Sequence, residues 1–217
     1  MNNNIYPSLI SADLLNLQRE IKLLEPWSAG FHLDVMDFHF VPNLTWGPDF
    51  VNAIRKTTPK QLWIDLLVDD PILYLDRFLL ANNDIVSVHY ESNYDNAIFE
   101  EIRIRGWLAS LALNPTTPLE VILPFLGSVD HILLMSVNPG FSGQNFVMES
   151  VEKLKKLHDI RNKYNLTFSI GMDGGLNQTT LPALLTYGVD TIAVASCIFE
   201  HKNPAQELQR LTNLPKG

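Results

Sequence analysis

Short apolar, β-rich runs alternate with helix-like stretches along the whole chain. Segments 6–9, 30–34, 62–68, 85–89, 107–113, 131–136, 167–172 and 191–195 read as strands. Between the first two, Leu14, Leu17, Ile21 and Leu24 recur at helical spacing. A later stretch places Val151, Leu154 and Leu157 on one helical face, with lysine and glutamate between them. Pro26, Pro71, Pro118 and Pro139 fall in connections or near helix starts, where proline is tolerated. The strands are apolar at most positions rather than strictly alternating, as parallel strands covered by helices are. Such strand–helix units in a chain of 217 residues predict a single α/β domain over residues 1–217, a (β/α)8 barrel. A doubly wound sheet is the competing fold, but the first strand–helix turn carries no G-x-G-x-x-G.

Polar residues gather where these strands end, which in a barrel is the catalytic face. They are Ser8, His32 with Asp34, Asp65, His89 with Glu91, Asn114, Ser136, Asp173 and Ser196. Residues i and i+2 of a strand share a face, so His32, Asp34 and Met36 point together, as do Asp65 and Leu67. A His-x-Asp pair with carboxylates from other strands suits a divalent metal. Asp173-Gly174-Gly175 puts a carboxylate before a turn that lets backbone approach a ligand. A glycine-bearing loop, Ser136 to Gln144, follows the sixth strand. Carboxylates held apart on a rigid sheet, beside loops able to wrap a small anion, suggest proton transfer on a phosphorylated substrate. A buried His32–Asp34 hydrogen bond and a plain tight turn at Asp173 are the structural alternatives. His89 and Glu91 read as supports behind the site, and Cys197 as a packed small residue.

Composition narrows the classes. Apolar residues make up 46% and charged residues 18%, which argues against disorder. The apolar runs are too short to cross a bilayer, and the start has no basic or apolar leader segment. A single cysteine excludes an internal disulfide and fits a reducing cytoplasm. The net charge is −8, with no basic cluster interleaved with aromatics, so nucleic acid is not expected as a partner. An acidic protein that binds phosphate must do so locally, through backbone N–H groups or a helix end.

Pro7-Ser8-Leu9-Ile10-Ser11-Ala12-Asp13, His32-Leu33-Asp34-Val35-Met36-Asp37, His39-Phe40-Val41-Pro42-Asn43, Leu113-Asn114-Pro115, the stretch from Met135 to Gln144 and Asp173-Gly174-Gly175 together resemble the ribulose-phosphate 3-epimerase family. The resemblance runs in order over nearly the whole chain. It implies a TIM barrel of the ribulose-phosphate-binding type that epimerises C3 of a ketose phosphate with a divalent metal (Zn, Mn, Fe or Mg). It implies metal ligands at His32, Asp34 and Asp173, and acid/base groups at Asp34 and Asp173. Ser8 would touch substrate, and Met36 and Met135 would shield the reacting carbons. Gly140, Phe141, Ser142, Gly143, Gly174, Gly175, Ala195 and Ser196 would form the substrate- and phosphate-binding loops. The expected partners are a phosphorylated ketose and further copies of the same chain, without nucleic acid or membrane.

The chain departs from that pattern at five positions. Asp65 stands where the family has a metal-binding histidine, Leu67 where it has methionine, and Phe38, Ser142 and Ala195 where glycine is usual. With Asp65 included, the ligand set becomes one histidine and three carboxylates. At about 5 Å and an effective dielectric of about 20, the extra charge is worth roughly 3 kcal/mol to a neighbouring unit charge. D-Ribulose 5-phosphate is the default substrate and a hexulose 6-phosphate the rival. A phosphosugar-binding protein without catalysis is the reading from another class. The related barrel decarboxylases carry Asp-x-Lys-x-x-Asp, and Asp65-Leu66-Leu67-Val68-Asp69 lacks that lysine.

Overall fold

The computed structural model describes residues 2–215. Eight parallel strands form one sheet, in the order β1-β8-β7-β6-β5-β4-β3-β2. They are β1 (Asn4–Pro7), β2 (Gly30–Met36), β3 (Gln61–Leu67), β4 (Ile85–His89), β5 (Leu108–Leu113), β6 (His131–Met135), β7 (Ser169–Asp173) and β8 (Thr191–Val194). The helices are α1 (Leu17–Leu24), α2 (Pro48–Thr57), α3 (Ile72–Leu75), α4 (Ile98–Ile104), α5 (Glu149–Lys163), α6 (Leu181–Thr186), α7 (Ser196–Phe199) and α8 (Pro204–Thr212). A 3-10 turn, Leu119–Phe125, replaces a helix between β5 and β6. The sheet curls into a barrel whose last seam, β1 to β2, is held by a parallel bridge from Ser8 to His32.

Strand boundaries differ from the sequence reading by a residue or two. The first strand ends at Pro7 because Leu9–Ser11 turns into a 3-10 helix. The seventh starts at Ser169, not residue 167, and runs on to include Asp173. Leu14 is not part of the first helix and is 52% exposed. Asp13 accepts from Leu15 N and Asn16 Nδ2, closing a separate turn at Leu14–Asn16 before α1 begins.

Alternation along the strands separates two cores. Outward-facing Phe31, Leu33 and Val35 join the helix residues Ile21, Leu24, Val51 and Ile54 in the large outer layer. Inward-facing Tyr6, Trp63, Ile85, Ala112, Leu133, Met135 and Ala193 fill the barrel. Met36, Val41 and Leu67 make a small apolar cap above them.

A hydrogen-bond chain crosses the interior. Trp63 Nε1 donates to Ser87 Oγ (2.8 Å), and Ser87 Oγ donates to Ser110 Oγ (2.9 Å). Ser110 Oγ meets His131 Nδ1 at 2.7 Å, and His131 Nε2 meets Thr191 Oγ1 at 2.8 Å. An indole can only donate, so Ser87 accepts from Trp63 and passes its own proton on to Ser110. Burial keeps His131 neutral, so one of its ring nitrogens donates and the other accepts. Gly171 makes room for it: a Cβ there would lie 2.5 Å from His131 Nε2.

The opposite end of the barrel is clamped by a repeated device. Asp84, Asp130 and Asp190 immediately precede β4, β6 and β8. Each carboxylate accepts a backbone N–H from the second residue of the preceding strand: Leu62, Ala109 and Ile170. Each also pairs with an arginine from the helix before that strand: Arg55, Arg103 and Arg161.

Two expectations follow. Asp84 is 1% exposed at its side chain, whereas Asp130 and Asp190 are each 37% exposed. Asp84→Asn should cost about 3–5 kcal/mol of stability in urea titrations. Asp130→Asn and Asp190→Asn should each cost about 1 kcal/mol or less. Equal losses at all three would refute the ordering by burial. The second concerns acid. Burial, helped by the charge of His32, holds the pKa of His131 down at about 3 in the folded chain. The unfolded residue takes up a proton near pH 6.5. Its contribution is thus fully present above about pH 6.5 and is lost as pH falls toward about 3, at up to about 1.4 kcal/mol per pH unit. Denaturant titrations at stepped pH should show a shallower acid slope in His131→Leu than in the parent chain.

Candidate active site

The catalytic-face end of the barrel assembles its polar groups from strand register. Asp34 of β2 lies beside Asp65 of β3, and Met36 beside Leu67. Met135 of β6 lies beside Asp173 of β7, which lies beside Ala193 of β8. Thr45 braces the end of β2, donating to Asp34 O (2.6 Å) and accepting from Met36 N (2.9 Å). Ser8 Oγ, across the barrel seam, donates to Asp34 Oδ2 at 2.7 Å. Ser136 fixes the turn after β7 by donating to Asp173 O (2.8 Å) and Gly174 O (2.7 Å).

His32, Asp34, Asp65 and Asp173 each offer one donor atom, all within 4.8 Å of one another. His32 Nδ1 stands 3.4 Å from Asp34 Oδ2, but neither ring nitrogen makes a hydrogen bond. Asp65 Oδ2 is also buried and unpartnered. Unsatisfied buried donors and acceptors are costly and rare, and here they converge. One imidazole and three carboxylates, mostly oxygen donors, fit a divalent cation.

Without a cation, the cluster sets its own charges. Burial drives Asp173 up to about 7, with the neighbouring carboxylates adding to burial and His32 opposing it. Burial pushes Asp34 upward too, but the charge and contact of His32 and the Ser8 hydrogen bond outweigh it and bring Asp34 below the usual carboxylate range. Burial disfavours the imidazolium of His32, yet Asp34 above all raises it to about 9. His89 follows the same logic with Asp65 and also reaches about 9.

Above the cluster opens one cleft. Ser8, Asp34, Met36, Met135, Gly140, Phe141, Ser142, Gly143, Asp173, Gly174, Gly175, Ala195 and Ser196 all line it. His32 and Asp65 lie beneath its surface, fully buried. Ile10, Val137, Gln144, Leu176 and Ala193 also line the cleft, beyond the residues expected from the sequence. Ala193 was legible as the inward-facing partner of Asp173, whereas Gln144 reaches the cleft only through its loop. Among the described residues, no lysine or arginine lines the cleft.

Backbone geometry explains the glycines. Gly174 has φ 107°, and a Cβ there would sit 2.5 Å from Val137 Cγ2. Gly175 has φ 63°, with Phe146 N only 2.7 Å from where a Cβ would be. Ala195, just past β8, has a negative φ of −106°. Phe38 is different: it holds φ 66°, a conformation that favours glycine. The loop over the cleft is tied down by Asn43 Nδ2 to Gly140 O (2.6 Å) and Ser11 Oγ to Ser142 Oγ (2.9 Å).

A parallel barrel with a His/Asp cluster at the carboxyl ends of its strands belongs to the broad class of TIM-barrel proteins. Solved structures agree on the fold. KGPDC of Streptococcus mutans superposes with a TM-score of 0.70 at 16% identity, over 97% of this chain and 96% of that one. 3-Hexulose-6-phosphate synthase of Salmonella typhimurium gives 0.69 at 16%, over 96% of each. A sequence profile of the Ribulose-phosphate 3 epimerase family matches residues 4–199. Ribulose-phosphate 3-epimerase of Synechocystis sp. is 39% identical over 98% of this chain and 95% of its own length. The Bacillus subtilis protein of the same name is 38% identical over 90% and 91%, and that of Schizosaccharomyces pombe 37% over 96% and 92%. The chain belongs to the ribulose-phosphate 3-epimerase family.

Proposed function

We propose that this chain interconverts D-ribulose 5-phosphate and D-xylulose 5-phosphate by moving the proton at C3. The observation that carries this reading is the pair Asp34 and Asp173. They enter one cleft from β2 and β7, with oxygens within 4.8 Å of each other. One carboxylate takes the C3 proton from one face of the substrate. The other delivers a proton to the opposite face, and the roles exchange in the reverse direction. Ser8 holds Asp34 by a hydrogen bond, and His32 lies beside it as a charge partner at 3.4 Å. The backbone carbonyl of Asp173 is fixed by Ser136, which anchors the turn from which its side chain projects.

Removing a proton next to a ketone leaves an enediolate, whose charge must be stabilised. His32, Asp34, Asp65 and Asp173 would hold a divalent cation, which supplies Lewis-acid stabilisation of that charge when bound. Met36, Leu67 and Met135 are nearly fully buried around the cleft and exclude water from the reacting carbons. With no basic side chain in the lining, the phosphate rests on backbone N–H groups near Gly174, Gly175 and Ser196. The enzyme would work in the cytoplasm, where Cys197 stays reduced.

Asp34→Asn and Asp173→Asn should each lower turnover by about 10²- to 10⁴-fold or more while leaving the fold intact. Solvent deuterium incorporation at C3, followed beside product formation, separates the two proton transfers. Near-normal turnover in either variant would sink the two-carboxylate mechanism. The same coupled assay run on a hexulose 6-phosphate fixes chain length: faster turnover there would reassign the substrate. Ser196→Asp places a negative charge at the expected phosphate position. It should weaken a phosphorylated competitive inhibitor at least tenfold (about 1.4 kcal/mol), and an unchanged inhibition constant would move the phosphate elsewhere.

A further inference from the structure

Asp65 is one of the five positions that depart from the family pattern, and its two oxygens have different surroundings. Oδ1 lies 3.0 Å from Nε2 of His89, on the neighbouring strand. Oδ2 has no hydrogen-bond partner, although the side chain is fully buried. Asp65 also offers one carboxylate oxygen to the group formed with His32, Asp34 and Asp173, where both His32 nitrogens are unpartnered. We infer that Asp65 gives Oδ2 alone to the divalent cation, and that His89 is the positioning residue that holds Oδ1 away. This inference rests on reading the cluster as a cation site.

His89 is itself gripped from several sides. The Phe40 ring lies 5.2 Å from it, centroid to centroid. Glu91 Oε2 stands 3.8 Å from its Nδ1. Glu91 is tied in turn to Asn114 N (3.0 Å) and to the Thr117 hydroxyl. The carbonyls of Asn114, Pro115 and Thr117 are gathered by Lys153 Nζ from α5. Glu91 touches His89 through charge alone, beyond hydrogen-bond reach, and is itself bonded to the segment that Lys153 of α5 gathers. The His89 bond to Asp65 keeps a short carboxylate from rotating to present both oxygens to the ion. It also explains how aspartate substitutes for a longer imidazole: β3 places it in register with Asp34, and His89 sets its angle. One nitrogen and three oxygens favour Mn²⁺ or Mg²⁺ over Zn²⁺ more than a set of two histidines and two carboxylates does.

The test uses metal-stripped protein without substrate. Mn²⁺ binding is followed by calorimetry, and imidazole nitrogens coupled to the bound ion are counted by pulsed EPR. The parent chain should bind one Mn²⁺ and show a single coupled imidazole, from His32. His89→Leu, which removes the donor, should weaken Mn²⁺ by about 10- to 100-fold. His89→Gln carries an amide N–H to the position of Nε2 and should restore most of that affinity. Asp65→His should add a second coupled imidazole and shift preference toward Zn²⁺. Parent-like Mn²⁺ affinity in His89→Leu would overturn the positioning role. A single imidazole in Asp65→His would overturn ligation at this position, and decides the matter if His89→Leu does not fold. No Mn²⁺ bound by the parent chain would instead overturn the cation reading itself, a result distinct from either variant's failure.

Discussion

The barrel interior is organised by a hydrogen-bond chain that begins at an indole donor. Trp63 donates to Ser87, and the bonds pass through Ser110 and His131 to Thr191, linking β3, β4, β5, β6 and β8. Polar groups inside a protein must be paired, and this chain pairs five side chains of the barrel floor. That chain forms the floor on which the His/Asp cluster stands. Trp63 also presents its ring edge-on to both His32 and His131, at 4.7 and 4.8 Å. The site is thus supported by packing beneath it as well as by the loop residues Ser8, Thr45 and Ser136.

Much of this was readable in the sequence. The i, i+2 rule put His32, Asp34 and Met36 on one face, and the same rule aligned Asp65 with Leu67. The register confirms that Asp34 and Asp65 are neighbours across the β2–β3 pair. The barrel was readable because apolar runs and helical patterns alternated with short connections. Less readable was Leu14, whose spacing fitted a helix until Asp13 closed its own turn. Periodicity carries no information about a side chain that caps the backbone.

Other features were invisible for a different reason. The clamps at Asp84, Asp130 and Asp190 depend on arginines 27 to 29 residues earlier in the chain. Only three-dimensional closure brings each pair together. The link from His89 to Asp65 is similar: the sequence marked His89 as a support but gave no sign of which ligand it supports. Phe38 was visible as a departure from glycine, and its positive φ shows what that glycine was for.

The barrel seam has a consequence for folding. The pairs β3–β4, β5–β6 and β7–β8 are locked at the far end by an arginine and an aspartate. The β1–β2 junction is joined instead by the Ser8–His32 bridge and by Ser8 bonding to Asp34. Closing this seam brings the Ser8 hydroxyl onto Asp34, a member of the cluster. Whatever binds between His32, Asp34 and Asp173 acts as a staple across the joint, so occupancy and barrel closure reinforce each other.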